Sequence, residues 1–295
     1  MKSCLILLIS SLQICYRSLA FQTCLMKTVF PDRYHSNTIV LLRAATIITA
    51  IGTIFILSTN TEAVEKEFPF YSGEKLTFQL KWTFVPAGEG ILEILPKETI
   101  NGVKTYHFVL TAKSNSFVDL FYKVRDRIDA YADIEMTHTI LYKQRQHEGK
   151  TQRDVVVSFN WNQNKAQYSN MKNVREPIDV LEGSFDPLSA FYYMRLFDLK
   201  EKLTIERPVT DGKKCIIGKA SVMKRETLEL AIGTFDTFLI EPEIEHVDGV
   251  FEKSKNAKIQ VWVTADKRRM PVKIKSKVVV GSFIGELISA TGLEK

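Results

Sequence analysis

Beyond residue 24 this sequence contains a single cysteine, Cys215, the other three being Cys4, Cys15 and Cys24. A disulfide framework and a cysteine-ligated zinc site are thereby excluded for the bulk of the chain, and its core must hold the fold unaided. Glycine and proline are sparse, 14 and 9 of 295 residues, and no low-complexity linker or internal repeat divides the chain. Also missing are a phosphate-binding loop, a dinucleotide fingerprint and a His-Glu-x-x-His pair. Gly183-Ser184-Phe185 lacks the second glycine of a hydrolase elbow, and His107, His138, His147 and His246 stand far apart, each on or beside an expected strand. No motif assigns a reaction, a cofactor or a metal.

The longest apolar stretch is Ile39 to Ser58, "IVLLRAATIITAIGTIFILS", followed by "TNTEA". A basic flank, an apolar centre and a small residue at the cut are the order of a secretory signal, and the pattern predicts cleavage after Ala63. The part uninterrupted by charge, Ala44 to Ser58, is short of the ~20 residues of a membrane span. An uncleaved anchor that tethers the protein to the membrane is the competing reading. A second apolar segment, Cys4 to Cys15, lies upstream, so residues 1–25 read as an extension of the gene before a true start at Met26. No cysteine has the small-residue context of a lipid anchor, which favours a soluble exported protein in the periplasm or envelope.

The whole chain carries a net charge of +6, but residues 1–63 hold five of its 40 Lys/Arg and two of its 34 Asp/Glu. The remaining 232 residues keep 35 against 32, a net +3, so nucleic-acid binding has no compositional support. Residues 64–295 read as one domain.

Within that domain, strand follows strand. In "KLTFQLKW", Leu76, Phe78, Leu80 and Trp82 alternate with Lys75, Thr77, Gln79 and Lys81, giving one buried and one wet face. "VPAGEG" marks a turn or bulge, and Asn101-Gly102, Asn162 to Asn164, Asp211-Gly212 and Asp248-Gly249 mark further turns. About twelve strands with short connections imply sequential antiparallel neighbours. A sheet of that size accumulates twist, so the expected fold is mainly β: a single antiparallel barrel or strongly curved half-barrel.

One helix interrupts the pattern. In "SFDPLSAFYYMRLFDLK", Ser184 or Asp186 caps the start and Pro187 takes the first helical position. Leu188, Phe191, Tyr192 and Arg195 share one face, and Ala190, Tyr193, Met194 and Phe197 cover most of another. So apolar a helix belongs inside or across the mouth of the barrel, either as a plug or as the lining of a cavity for an apolar ligand. Trp82, Phe84, Tyr122, Phe191, Tyr192, Tyr193 and Trp262 are the aromatic candidates for such a lining.

"GEKLTFQLKWTFVPAGEGILEI", "FYKVRDRIDAYADIEMTHTILYKQRQHEGK", "FDPLSAFYYMR" and "VWVTADKRRMPVKIKSKVVVGSFIGEL", in that order, resemble the bacterial exported proteins grouped as domain of unknown function 3108. The resemblance spans residues 68 to 291, with Phe-Asp-Pro-Leu-Ser-Ala-Phe-Tyr its most specific part. It implies a signal peptide, a mainly β, barrel-like domain and an envelope location, with no established activity. "VWVTADKRRMPVKIK" is also similar in style to periplasmic carriers of lipoproteins, which use a half-barrel with a helical lid.

Two charged groups stand out. Arg125, Arg127, Asp129, Tyr131 and Asp133 face one way along a strand and read as a solvated charge ladder, while Asp126 falls on the apolar side and needs a partner. Arg195 of the helix is the expected partner. Lys273, Lys275 and Lys277 project from one face of a later strand, either as a solubilising edge or as an attraction for anionic head groups. The leading functional expectation is a non-enzymatic envelope protein that binds an apolar or amphipathic, lipid-like ligand, with peripheral membrane contact. The alternative is an assembly factor that recognises an envelope protein with its barrel plugged. A hydrolase of envelope polymers ranks last, because it needs two convergent carboxylates that no motif supplies.

Overall fold

The computed structural model describes residues 68–243, 258–278 and 281–293. The leader, the cut at Ala63 and the Asp248-Gly249 turn lie outside the described residues. Among the described residues no helix is long and apolar enough to cross a membrane.

The first half of the sheet comprises β1 (Lys75–Trp82), β2 (Val85–Ile100), β3 (Val103–Ser114), β4 (Arg125–Asp133), β5 (Thr139–Glu148), β6 (Thr151–Asn160) and β7 (Lys165–Asn170). Two short strands, β8 (Asn173–Val174) and β9 (Ile178–Asp179), follow. The second half comprises β10 (Thr204–Thr210), β11 (Cys215–Leu230), β12 (Gly233–Pro242), β13 (Lys258–Thr264), β14 (Pro271–Val278) and β15 (Gly281–Thr291). A one-turn helix α1 (Ser116–Asp119) lies between β3 and β4, and α2 (Pro187–Tyr193), continued by a 3-10 turn at Met194–Leu196, lies between β9 and β10.

Every paired strand is antiparallel to its neighbour, and the order is β10-β11-β12-β13-β14-β15-β1-β2-β3-β4-β5-β6-β7-β8, with β9 also on β7. β1 thus sits in the middle, because β15 returns to its far side with Leu76 opposite Ala290. Among the described residues fifteen strands replace the expected twelve or so. β8 and β9 are two residues each, too short for a periodic signal, and the run from Met270 to Gly292 makes two strands. "VPAGEG" carries the expected bulge and not a turn: β2 begins at Val85, and the register shifts where Lys81 pairs with Pro86 and Leu80 with Gly88, skipping Ala87. At Asn101-Gly102 both residues have positive φ, 51° and 82°, the geometry of a type I′ hairpin.

Of the two expected shapes the closed barrel is not formed, since the ladder ends at β8 and β10, which do not pair. A two-residue strand offers too little backbone to template a neighbour. The curl is nonetheless deep. Phe185 bridges Val209 of β10 while the carbonyl of the adjacent Ser184 accepts from the Thr139 amide of β5 (3.1 Å). The β10–β11 turn packs on β6 and β7: Gly212, at φ +80°, leaves no room for a side chain, whose Cβ would lie 2.7 Å from Val157.

Alternation fills the inner face with Leu76, Phe78, Leu92, Ile94, Phe108, Leu110 and Ile128. α2 packs on this face. Asp186 is its N-cap, Oδ1 accepting from the amides of Leu188 (2.8 Å) and Ser189 (3.0 Å), and Pro187 follows. The Tyr192 ring stacks on Phe108 with centroids 4.0 Å apart and meets Phe70 edge-on at 5.5 Å. Such pairs add about 1 kcal/mol each beyond burial. The helix is therefore a plug.

Candidate functional site

What locks the plug is an ion pair that sequence reasoning assigned to the wrong acid. Arg195 is bonded to Glu74, its Nη1 and Nη2 donating to the two carboxylate oxygens at 2.5 and 2.8 Å, with the two side chains 0% and 3% exposed. Its remaining donors reach the carbonyls of Arg268 and Pro69, and its plane lies over the rings of Phe70 and Tyr192. The expected Asp126–Arg195 pair is thus replaced. Glu74 immediately precedes β1, whereas Asp126 lies at the start of β4, and antiparallel order puts these at opposite ends of the sheet.

The two ends differ. α2 meets the end where β1, β3 and β5 begin: the Asp186 carboxylate accepts from Thr139 Oγ1 at the first residue of β5 (2.7 Å). At the other end, one β5 length or about 30 Å away, the border is made by the β1–β2 turn, the β3–β4 connection, the β5–β6 turn and the β7–β8 turn. We call this the open end. It carries an unusual amount of exposed apolar surface: Phe84 is 88% exposed, Leu120 77% and Phe121 76%, and Trp82, Val85, Phe117, Met171 and Val174 are also exposed. Phe117 and Phe121 touch only edge to face, 5.7 Å apart.

These tips are mounted on fixed backbone. Asn115 caps α1, and its amide Nδ2 donates to the Pro86 carbonyl (2.8 Å) while its backbone amide donates to Ala87 (2.9 Å), tying the β3–β4 connection to β2. The Gly149 amide donates to Lys123 (2.8 Å), and a Cβ at Gly149 would lie 2.9 Å from the Tyr122 ring, so glycine is what lets the connection lie on the β5–β6 turn.

Beneath the tips, inside the sheet, lies Asp126. Its Oδ1 accepts from the His147 amide (2.7 Å). Burial, then the charge and hydrogen bonding of the neighbouring Glu148, push its carboxyl up to about 8. Among the described residues neither Asp126 Oδ2 nor Glu148 Oε1 meets a donor, and a proton held on Asp126 would supply one to the pair. Sequence reasoning missed this pair. The signal was present: in "YKQRQHE", Gln144, Gln146 and Glu148 follow Tyr142 at every second position, on the inner face.

The outer face of β4 is a bonded network more than a solvated ladder. Arg127 grips Asp129 with two nitrogens (2.8 and 2.7 Å), His107 Nε2 bonds Asp129 at 2.8 Å, and His107 Nδ1 bonds Glu98 at 2.8 Å. Tyr131 stacks on the His107 ring at 4.3 Å. Burial alone would raise Asp129, but the hydrogen bonds from His107 and Arg127 outweigh it and hold the carboxyl well below the usual range. Beside this network, on β2 to β5, runs a groove of about 370 Å³ with Ile91 in its lining and Lys113, Arg125, Arg127 and Arg145 along it.

The aromatic candidates do not converge on one cavity. Trp82, Phe84 and Tyr122 belong to the open end; Tyr192 is core, and half-buried Phe191 and Tyr193 pack against Tyr192 and Phe185 at the plugged end. Trp262 stands opposite Lys273 on β14 and donates Nε1–H to Glu226 (2.9 Å). Of the three lysines, Lys273 is committed to Glu286 (2.8 Å), which Lys81 also contacts (2.6 Å), and Lys275 and Lys277 follow it along the strand.

Among solved structures the chain is similar to a β-barrel-like protein of the family DUF1849 from Brucella abortus, with 9% identity, a TM-score of 0.48 and coverage of 74% of this chain and 96% of that one. It is also similar to a candidate lipoprotein from Parabacteroides distasonis, with 11% identity, a TM-score of 0.32 and coverage of 76% and 97%. No curated protein matches the sequence. The family described as "Protein of unknown function (DUF3108)" matches residues 77–288, and the chain belongs to that family.

Proposed function

We propose that the protein is an exported, non-enzymatic envelope protein that binds an apolar or amphipathic, lipid-like molecule at its open end. The observation that carries this reading is the set of exposed apolar tips there: Phe84, Phe117, Leu120 and Phe121 stand out from backbone that is otherwise well bonded, and exposed apolar surface of this kind marks interaction sites. The ligand site is at the open end rather than around α2, because the aromatic stack of Phe70, Phe108 and Tyr192 already fills the plugged end. The burial of both Asp126 and Glu148 supports a structural role for the carboxyl pair over polymer hydrolysis.

A protein partner is the second reading, favoured by the same packing around α2. Native mass spectrometry decides between them. The full chain is expressed with its own leader, the exported product is purified gently, and bound mass is extracted into solvent for lipid analysis. A reproducible extra mass that resolves to a lipid supports the first reading. A bare polypeptide that takes up no lipid on incubation refutes it and favours the partner.

A further inference from the structure

The groove on the outer face is rich in cations, with Lys113, Arg125, Arg127 and Arg145 in its lining beside two acids, Glu89 and Asp126. Arg127 of β4 and Arg145 of β5 are direct cross-strand partners, an arrangement that is unfavourable for like charges. Asp129 offsets it in part, and the other cross-strand partner of Arg145, exposed Asp154 of β6, is a second acid beside it. The Asp129 carboxylate is already taken by Arg127 and His107, and it lies 3.9 Å from Arg145, whose side chain is 66% exposed. Lys113 and Arg125, paired across β3 and β4, add two more cations, answered by Glu89 (2.9 Å) and by Asp119 of α1 (2.5 Å).

Position gives the groove its meaning. Lys113 and Arg125 flank the β3–β4 connection that carries Phe117, Leu120 and Phe121, so the cations begin at the foot of the apolar tips. A polar group two residues back along a strand is about 7 Å behind, and amphipathic surfaces insert roughly 5–10 Å into the headgroup boundary of a bilayer. Exposed Lys123, Lys150 and Lys172 are set among the same turns, next to Tyr122, Gly149 and Met171. Aromatic and aliphatic tips backed by a cationic shelf match the charge and depth profile of an anionic lipid surface.

We propose that Lys113, Arg125, Arg127 and Arg145 seat the phosphate headgroup of an anionic membrane lipid while the tips beside them enter the interface, docking the open end on a bilayer. This rests on the reading of the open end as a lipid-binding surface and specifies the class of lipid. Part of the binding is therefore electrostatic and weakens with salt.

The test uses the exported product of the full chain in vesicle co-sedimentation, with phosphatidylcholine vesicles made with and without phosphatidylglycerol. Three variants accompany it: Lys113→Gln/Arg145→Gln in the groove, Phe84→Ser/Phe121→Ser at the tips, and Lys219→Gln, an exposed cation elsewhere on the sheet, as the control for charge alone. Each cation near an anionic surface is worth roughly fivefold, so the groove variant is expected to lose about 30-fold in affinity for the anionic vesicles and little for the neutral ones. The tip variant should weaken on both, and Lys219→Gln on neither. A groove variant that binds anionic vesicles like the wild type overturns the groove. If the tip variant still fails there, lipid binding at the open end stands without it. Equal wild-type binding to neutral and anionic vesicles overturns the headgroup preference. Protection of the groove by inorganic phosphate with no vesicle binding assigns it to free anions instead. An exported product that carries no lipid and binds neither vesicle overturns both readings.

Discussion

Glu74→Leu isolates the lock between plug and sheet. In the native protein the Arg195 guanidinium is fully buried and both oxygens of Glu74 are within 2.8 Å of it. Removing the acid leaves a positive charge in an aromatic core with only two carbonyls, those of Pro69 and Arg268, as partners. Breaking a buried pair by deleting one member costs about 3–5 kcal/mol. In a protein of this size each kcal/mol moves the melting temperature by about 2–4 °C, so the expected drop is roughly 6–20 °C. The double variant Glu74→Leu/Arg195→Met removes the stranded charge along with its partner, and should recover at least half of the loss; the two carbonyls left without a donor keep it from recovering all. Urea unfolding of the exported product, followed by tryptophan fluorescence and far-UV circular dichroism, measures both. The reasoning is refuted if Glu74→Leu costs less than about 1 kcal/mol, or if the double variant is less stable than the single one.

Three further outcomes follow from the same structure. Folding raises Asp126 from 3.8 to about 8, so its contribution is fully present below pH 4 and is lost as pH climbs through 8. The melting temperature should therefore fall from pH 5 to pH 8, and Asp126→Asn, which cannot ionise and can donate to Glu148, should flatten much of that fall; parallel pH profiles would contradict the carboxyl pair. The Tyr192 hydroxyl is buried without a partner among the described residues, so Tyr192→Phe should keep or raise stability by up to about 1 kcal/mol in urea, and a larger loss would reveal a bond to that hydroxyl. Asp186→Ala removes the cap of α2 and the acceptor of Thr139, which should cost about 2–4 kcal/mol, with Asp186→Asn milder; an unchanged urea midpoint would show that the cap is not what holds the helix.

How far these features could be read from sequence depended on their range. Strand alternation in "KLTFQLKW", the Asn101-Gly102 turn and the Asp186-Pro187 helix start are local, and each formed where its residues place it. The helix partner was not local: Arg195 and Glu74 are 121 residues apart, and the link between them is made by β15 returning to β1, which no periodicity encodes. Asp126 was singled out correctly as an acid on the apolar side, but its neighbour is another acid, and pairing rules that look for opposite charge pass over a shared proton. The aromatic candidates were chosen by residue type, and type does not say which end of a strand is covered. Phe117, Leu120 and Phe121 went unnoticed because they lie in a connection, where strand alternation gives apolar residues no face to be assigned to.

The sheet's two ends therefore do different physical work. At the start of β1, β3 and β5 the curl is closed by residues from three distant segments meeting on Arg195: Glu74 and Pro69 before β1, the 3-10 turn after α2, and Arg268 before β14. That end gains by excluding water, since every donor of a buried guanidinium must be met. At the finish of the same strands the turns hold Phe84 and Phe121 in water, on backbone braced by Asn115 and Gly149. A fold that can bury Tyr192 and Phe108 against each other could accommodate polar tips here at no cost to its core, so stability does not account for exposed aromatics on ordered turns. Contact with something outside the chain is the account proposed for them, and the cations at their foot suit an anionic surface.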